Sequence, residues 1–314
     1  MSRKGRAMAR QRISGQQAYS NFSESFRRVY DKATPLRKSA MATDSLTAET
    51  AAALGHPEYI NLQAGESLLA NAVVSFVDIR GVTRLSFALD ATELFRVIQA
   101  LTEASIQAIH DGGGYIGEFT GDGVMAYFGN SSQSDEEATL AALETTSLLF
   151  KSVEEIVNPR LKQQGLDPIR ISAGMEFGEV LWSRIGVGEV SQLKPIGTAT
   201  FLAGKLSQGA FTKSWECKVG GDLAKWIPEE FRERTTQYGP VMVNGEQFSR
   251  ELYLFNWRQF AADTMANQIA LEDRMRKSFS SSGSLAALAS TARIVQPPTP
   301  GTNGPRPLKD QPFF

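Results

Sequence analysis

The clearest pattern in the chain is the run AVVSFVDI at Ala72–Ile79, short, apolar and β-branched, as expected of a buried central strand. Asp78 is embedded near its end, where an acid is expensive. Asp90 and Glu93 form a capping-box pattern ahead of LFRVIQALTEASIQAIH, whose apolar positions recur with helical period, and Gly112–Gly114 stops it. Tyr115–Phe119 and Val124–Phe128 read as two strands around Thr120-Gly121-Asp122-Gly123, with an Asp-Gly dipeptide at the turn. Ser134 and Glu137 cap a second long helix, predicted to run to about Gln164.

Ile169–Glu176 and Glu179–Ile185 read as a strand pair joined near Gly178, and Thr198–Gln208 as a third helix. Short strands are expected at Cys217–Val219 and Tyr238–Val243, a helical turn at Leu223–Phe231, and a closing strand at Glu251–Trp257. Upstream, Tyr19, Phe22, Phe26 and Tyr30 make an apolar stripe on a helix over Gln16–Lys32, and Leu46–Leu54 ends at the stop Gly55-His56-Pro57. Downstream, a helix over Ala262–Phe279 gives way to SSSGS and QPPTPGTNGPRP, compositions expected to be disordered. The chain therefore divides into an N-terminal extension (1–65), a domain (66–258) and a C-terminal helix and tail (259–314). Alternating strands and helices make the domain α/β or α+β with one sheet.

Composition narrows the classes. With 314 residues, 42% of them hydrophobic, the chain has enough for a real core, which excludes wholesale disorder. No long apolar run and no signal-peptide pattern is present, so a cytoplasmic protein without a membrane partner is expected. A single cysteine, Cys217, and two histidines, His56 and His110, supply no zinc-type ligand set, so a metal would have to be held by carboxylates. The net charge of −1 hides an asymmetry: residues 1–40 carry ten Lys/Arg against Glu24 and Asp31. This basic arm lacks the aromatic platform used to stack single strands, so a cap or tether is expected rather than a nucleic-acid site.

Asp78 and Asp122 carry the candidate chemistry. If the two strand ends lie side by side, the carboxylates converge, and like charges that close are tolerated when a divalent cation sits between them. Oxygen ligands select Mg²⁺ or Mn²⁺. Either aspartate alone reads as an ordinary turn or cap residue.

In context the residues resemble a known family. Phe76-Val77-Asp78-Ile79-Arg80-Gly81-Val82-Thr83 is similar to the F-x-D-I-x-G-F-T element of class III nucleotidyl cyclases, and Gly121-Asp122-Gly123-Val124-Met125-Ala126-Tyr127-Phe128 to their G-D-G hairpin. Ile171–Val180 resembles the family's following strand pair, and Gly197–Leu206 its G-x-x-V-N-x-A-x-R-L helix. The resemblance covers about Glu66–Trp257 and implies a ferredoxin-like βαββαβ domain working as a head-to-tail homodimer, with active sites at the interface. It implies that Asp78, Asp122 and the carbonyl of Ile79 hold two Mn²⁺ or Mg²⁺ ions per site. It also implies that the backbone of Arg80, Gly81, Val82 and Thr83 binds phosphate, with Arg80 adding charge.

The departures are informative. The family's transition-state Asn and Arg are Phe201 and Lys205 here, and the phosphate-binding lysine further on is Asn244. Lys205 supplies a point charge without the bidentate geometry of arginine. At the base-reading positions stand Glu118, as in guanylate cyclases, and Lys194, an acceptor and a donor that suit guanine or uracil. Phe201 adds bulk beside the nucleoside, to stack on a small ring or narrow the pocket against a purine, with core packing as the plain alternative. With its N-terminal extension and no recognisable sensor domain, the chain resembles the bacterial Pycsar pyrimidine cyclases. This implies conversion of UTP to cyclic UMP as an antiphage alarm read by a separate effector protein. A guanylate or adenylate cyclase and a catalytically inactive dimerisation or nucleotide-sensing module are the alternatives.

Overall fold

The computed structural model describes residues 12–31, 58–59, 61–187, 190–208, 217–240 and 251–264. The segment Leu46–Leu54, Asn244, the first basic residues, most of the expected C-terminal helix and the tail lie outside these.

The core follows the expected βαββαβ order: β1 (Ser67–Arg80), helices α2 (Val82–Ala88) and α3 (Ala91–Asp111), β2 (Tyr115–Thr120), β3 (Gly123–Phe128), helix α4 (Asp135–Ser152) and β4 (Arg170–Val187). These strands lie in the order β2-β3-β1-β4, every neighbouring pair antiparallel, which is the ferredoxin-like arrangement. Past β4 the chain adds β5 (Val190–Ile196), helix α6 (Thr198–Gln208), β6 (Cys217–Gly220), the turn of helix α7 (Gly221–Ala224), β7 (Thr235–Pro240) and β8 (Glu251–Phe255). Strand β6 joins the sheet parallel to β4, with β8 and β7 beyond it.

Local chemistry sets these elements. Asp90 accepts from the N–H groups of Thr92 and Glu93 to start α3. The full reciprocal capping box forms at Ser134 and Glu137, ahead of α4. The long second helix is not uniform: α4 passes through one π-turn, Val153–Val157, into helix α5 (Asn158–Gln163).

The strand pair expected around Gly178 is one continuous strand. Strand β1 pairs with β4 without a break from Ser67↔Ser183 to Arg80↔Arg170, straight through Ala72↔Gly178. Gly178 is not a turn residue. The glycine that lets α6 pack closely on this strand is Gly174, where a side chain would stand 2.2 Å from the Ala203 carbonyl. The chain reverses later, between Val187 and Val190, and returns as β5.

Alternation along the strands gives the sheet two faces. Val73, Val77, Val124, Ala126 and Phe128 pack under α3 and α4. Helix α1 (Gly15–Tyr30) closes this layer, with Phe22, Phe26 and Tyr30 of the expected stripe buried and Tyr19 packed at its edge. It is pinned by ion pairs from Arg12 to Glu144 and Arg28 to Glu103, and by Asn21 donating to Asp111 at 2.8 Å. The opposite face carries Val74, Met125, Tyr127, Val180 and Trp182, covered in part by Ala199 and Ala203 of α6 and by Tyr59, which stacks on Trp182 at 4.7 Å.

Candidate active site

The candidate residues fall into two groups, of which Asp122 and Ile79 also border the first-face core beside Val77 and Val124. The first is at the end of β1. Asp78 follows Phe76 on the same side of the strand, and Asp122 sits in the two-residue turn between β2 and β3. Gly123 lets them approach: a side chain there would come 2.8 Å from the Val77 carbonyl and 3.2 Å from Asp78 Oδ1. Burial first, and the charge of Asp122 second, push the Asp78 carboxyl above the usual range, while Arg80 and the N–H of Ile79 act the other way.

Among the described residues no three His, Cys, Asp or Glu side chains cluster as a ligand set. The pair nevertheless fits a hard divalent cation. Two half-buried carboxylates are held within mutual repulsion, all donors are oxygen, and the Ile79 carbonyl follows directly in the chain. Gly81, with φ of 101°, turns the chain from β1 into α2, so the N–H groups of Val82 and Thr83 stand in the first turn of that helix, without intrahelical acceptors.

The second group lines an open cleft of about 890 Å³ formed by Phe76, Glu118, Met125, Lys194, Phe201 and Lys205, among others. Lys194 of β5 forms an ion pair with Glu118 of β2, although those strands are not neighbours in the sheet; the β4–β5 arm brings the two together. Phe201 is 67% exposed, so core packing does not explain it. Lys205 lies one turn further along α6. Gly204 between them faces the ring of Phe76. The cleft lining includes Phe76 but neither Asp78 nor Asp122, so in one chain the carboxylate pair lies outside the cleft.

Other residues near the expected site prove structural. Tyr115 is buried in the sheet, and Trp182 is wedged between Tyr59 and Tyr127. Glu176 is buried and accepts from the N–H of Leu223 at 2.9 Å, capping α7. Sequence reasoning missed the strap made by residues 58–59 and 61–66: Glu58 accepts from Ser131, Tyr59 covers Trp182, and Arg184 donates to the Leu62 carbonyl. An aromatic residue just before a buried strand was the available clue.

A ferredoxin-like sheet extended by a β4–β5 arm, with a carboxylate pair at the end of β1, is the architecture of a class III cyclase domain. The adenylyl cyclase CyaB from P. aeruginosa superposes with a TM-score of 0.54 at 23% identity, over 60% of this chain and 95% of that one. In sequence the chain is 27% identical to a cytidylate cyclase of Escherichia coli, over 65% of this chain and 49% of that protein. It is also 27% identical to a uridylate cyclase of Rhodovulum sp. (strain MB263), over 47% of this chain and 66% of that protein. No protein-family profile matches. The chain thus spans about half the length of the cytidylate cyclase it matches. The chain shares the fold of the solved cyclase and sequence similarity with these nucleotidyl cyclases. Among the described residues no helix is long and apolar enough to cross a membrane.

Proposed function

We propose that the chain is a pyrimidine nucleotide cyclase, converting UTP to 3′,5′-cyclic UMP and pyrophosphate in a head-to-tail homodimer. The observation that carries this reading is the presence on one chain of a carboxylate pair at the end of β1 and, across Phe76, a cleft holding an acceptor–donor pair, Glu118 with Lys194. Two such chains, head to tail, would set the carboxylates of each protomer against the cleft of its partner.

Asp78, Asp122 and the Ile79 carbonyl would hold Mn²⁺ or Mg²⁺. Bound there, such ions supply the charge that lowers the pKa of the ribose 3′-hydroxyl and neutralises the triphosphate. The chain's own groups do the rest. Glu118 accepts from the uracil N3–H while Lys194 donates to a flanking carbonyl, exchanging their mutual ion pair for contacts with the base. Phe201, already exposed over the cleft, offers a face for a single pyrimidine ring. Lys205 places a positive charge beside the phosphates, and the N–H groups of Gly81, Val82 and Thr83 face their oxygens. The 3′-oxygen becomes bonded to the α-phosphorus as the bond to pyrophosphate breaks and the hydroxyl proton leaves.

CTP is the second reading, favoured by the similarity to the cytidylate cyclase. The cytosine amine would donate to Glu118 and its N3 would accept from Lys194. On the resemblance to Pycsar cyclases, the product would serve as an antiphage messenger read by a separate effector. The test is to incubate the purified protein with ATP, GTP, CTP or UTP and Mn²⁺ and identify products by mass. Cyclic UMP supports the reading and cyclic CMP selects the second one. Cyclic GMP or cyclic AMP alone overturns the pyrimidine assignment, and no product from any nucleotide overturns the cyclase reading.

A further inference from the structure

We infer that Arg80 is a positioning residue: it ties the Asp78 end of β1 to the C-terminal end of α6, the helix that carries Phe201 and Lys205. Its catalytic consequence rests on the cyclase reading above. The tie itself rests on geometry.

Arg80 is the last residue of β1, and its guanidinium turns back into the chain. Its Nε donates to Ser172 Oγ on β4 at 3.0 Å, and its Nη2 donates to the Ser207 carbonyl at 2.6 Å. The same Nη2 lies 3.6 Å from Asp78 Oδ2. Ser172 is itself buried and donates to the same Ser207 carbonyl at 2.8 Å, so arginine and serine hold one acceptor together. Next to it, the buried Lys218 donates to the Leu206 carbonyl at 3.3 Å. The last carbonyls of α6 thus receive two cations and a hydroxyl, the charge that a helix C-terminus favours. A guanidinium spans three elements in this way because its donors are fixed in a planar fork; an ammonium is a single point.

One side chain therefore sets the distance between a carboxylate of the pair and the helix that lines the cleft. In a head-to-tail dimer the pair and the cleft of one chain would serve different active centres, so the tie would hold both centres in register from within each chain. The competing role is direct contact with phosphate, and the two make different predictions for Ser172, which is buried and joins Arg80 to the Ser207 carbonyl.

The test compares the full chain with Ser172→Ala, Arg80→Met and the double variant. It reads hydrogen exchange of residues 198–208, kcat and KM, and inhibition by inorganic pyrophosphate with Mn²⁺. The tie predicts that each single variant raises exchange in 198–208 by about tenfold or more. It also predicts that kcat falls with KM and pyrophosphate inhibition unchanged, and that the double variant is no worse than Arg80→Met. Exchange as in the wild type, together with pyrophosphate inhibition weakened about tenfold in Arg80→Met alone, would overturn it and make Arg80 a phosphate ligand. If the wild type turns over no nucleotide, the cyclase reading falls, and the exchange measurement decides the tie by itself. Should Arg80→Met not fold, Ser172→Ala and Arg80→Lys decide, and unchanged exchange in both refutes the tie.

Discussion

The two faces of the sheet are built from similar strands and finished differently. On one side α1, α3 and α4 cover the middle of the core strands, with Phe22, Phe26 and Phe150 fully buried and Leu69 and Phe119 exposed at the rim. On the other, α6 and the strap residue Tyr59 cover only the middle, while Leu68, Phe201 and the arm residues Ile185, Val187 and Ile196 stay exposed. A chain that packs three helices on one face does not leave the other open for want of apolar residues. The closed face supplies stability; the open face supplies the cleft and, on the proposed dimer, the surface that receives a second copy.

The comparison can be broken at several points. The largest effect is expected on the open face: Asp78→Ala should lower turnover by about 10⁴-fold or more, roughly 5 kcal/mol of barrier. Its melting temperature should hold or rise, because burial and Asp122 already disfavour the Asp78 charge. A parallel loss of stability would instead make the carboxylate structural. On the closed face Phe22→Ala should cost about 3–5 kcal/mol in denaturant unfolding and leave kcat unchanged where the protein is folded. A smaller effect is expected for Val187→Asp, at an apolar position 83% exposed on the β4–β5 arm. It should weaken self-association about tenfold or more, ~1.4 kcal/mol, in sedimentation equilibrium, and an unaltered mass distribution would count against this arm as an interface. The smallest concerns the α4 cap. Hydrogen bonds from the Ser134 backbone and side chain hold the Glu137 carboxyl below the usual range. Its contribution is therefore full above the pKa of the unfolded chain and is lost as pH falls through the lower folded value. The melting-temperature advantage over Glu137→Gln should accordingly vanish in acid.

Much of this was legible because it is local. The stripe Tyr19, Phe22, Phe26 and Tyr30, the cap at Ser134 and the Asp-Gly turn each depend on neighbours a few residues away, and each is found where the spacing puts it. Asp78 stood out because an acid in an apolar strand needs a reason, and Thr198–Gln208 is helical over the predicted span. What was not legible depends on long-range partners. Gly178 read as a turn, since the ladder that runs through it pairs it with Ala72, about a hundred residues away. Arg80 read as a charge for phosphate, because its acceptors, Ser172 and Ser207, lie about a hundred residues away. The pairing of Glu118 with Lys194 likewise depends on an arm that folds over from β4.

The unbroken β1–β4 ladder has a consequence during synthesis. Residues paired across it, such as Val73 and Phe177, are separated by about a hundred positions in the chain. At ~5–20 residues per second, β1 emerges from a ribosome roughly 5–20 s before the strand that completes it. The hairpin of β2 and β3 is made in that interval and can guard one edge of β1 through β3. The other edge, apolar and lined with unsatisfied amides, stays open to a neighbouring nascent chain until β4 arrives.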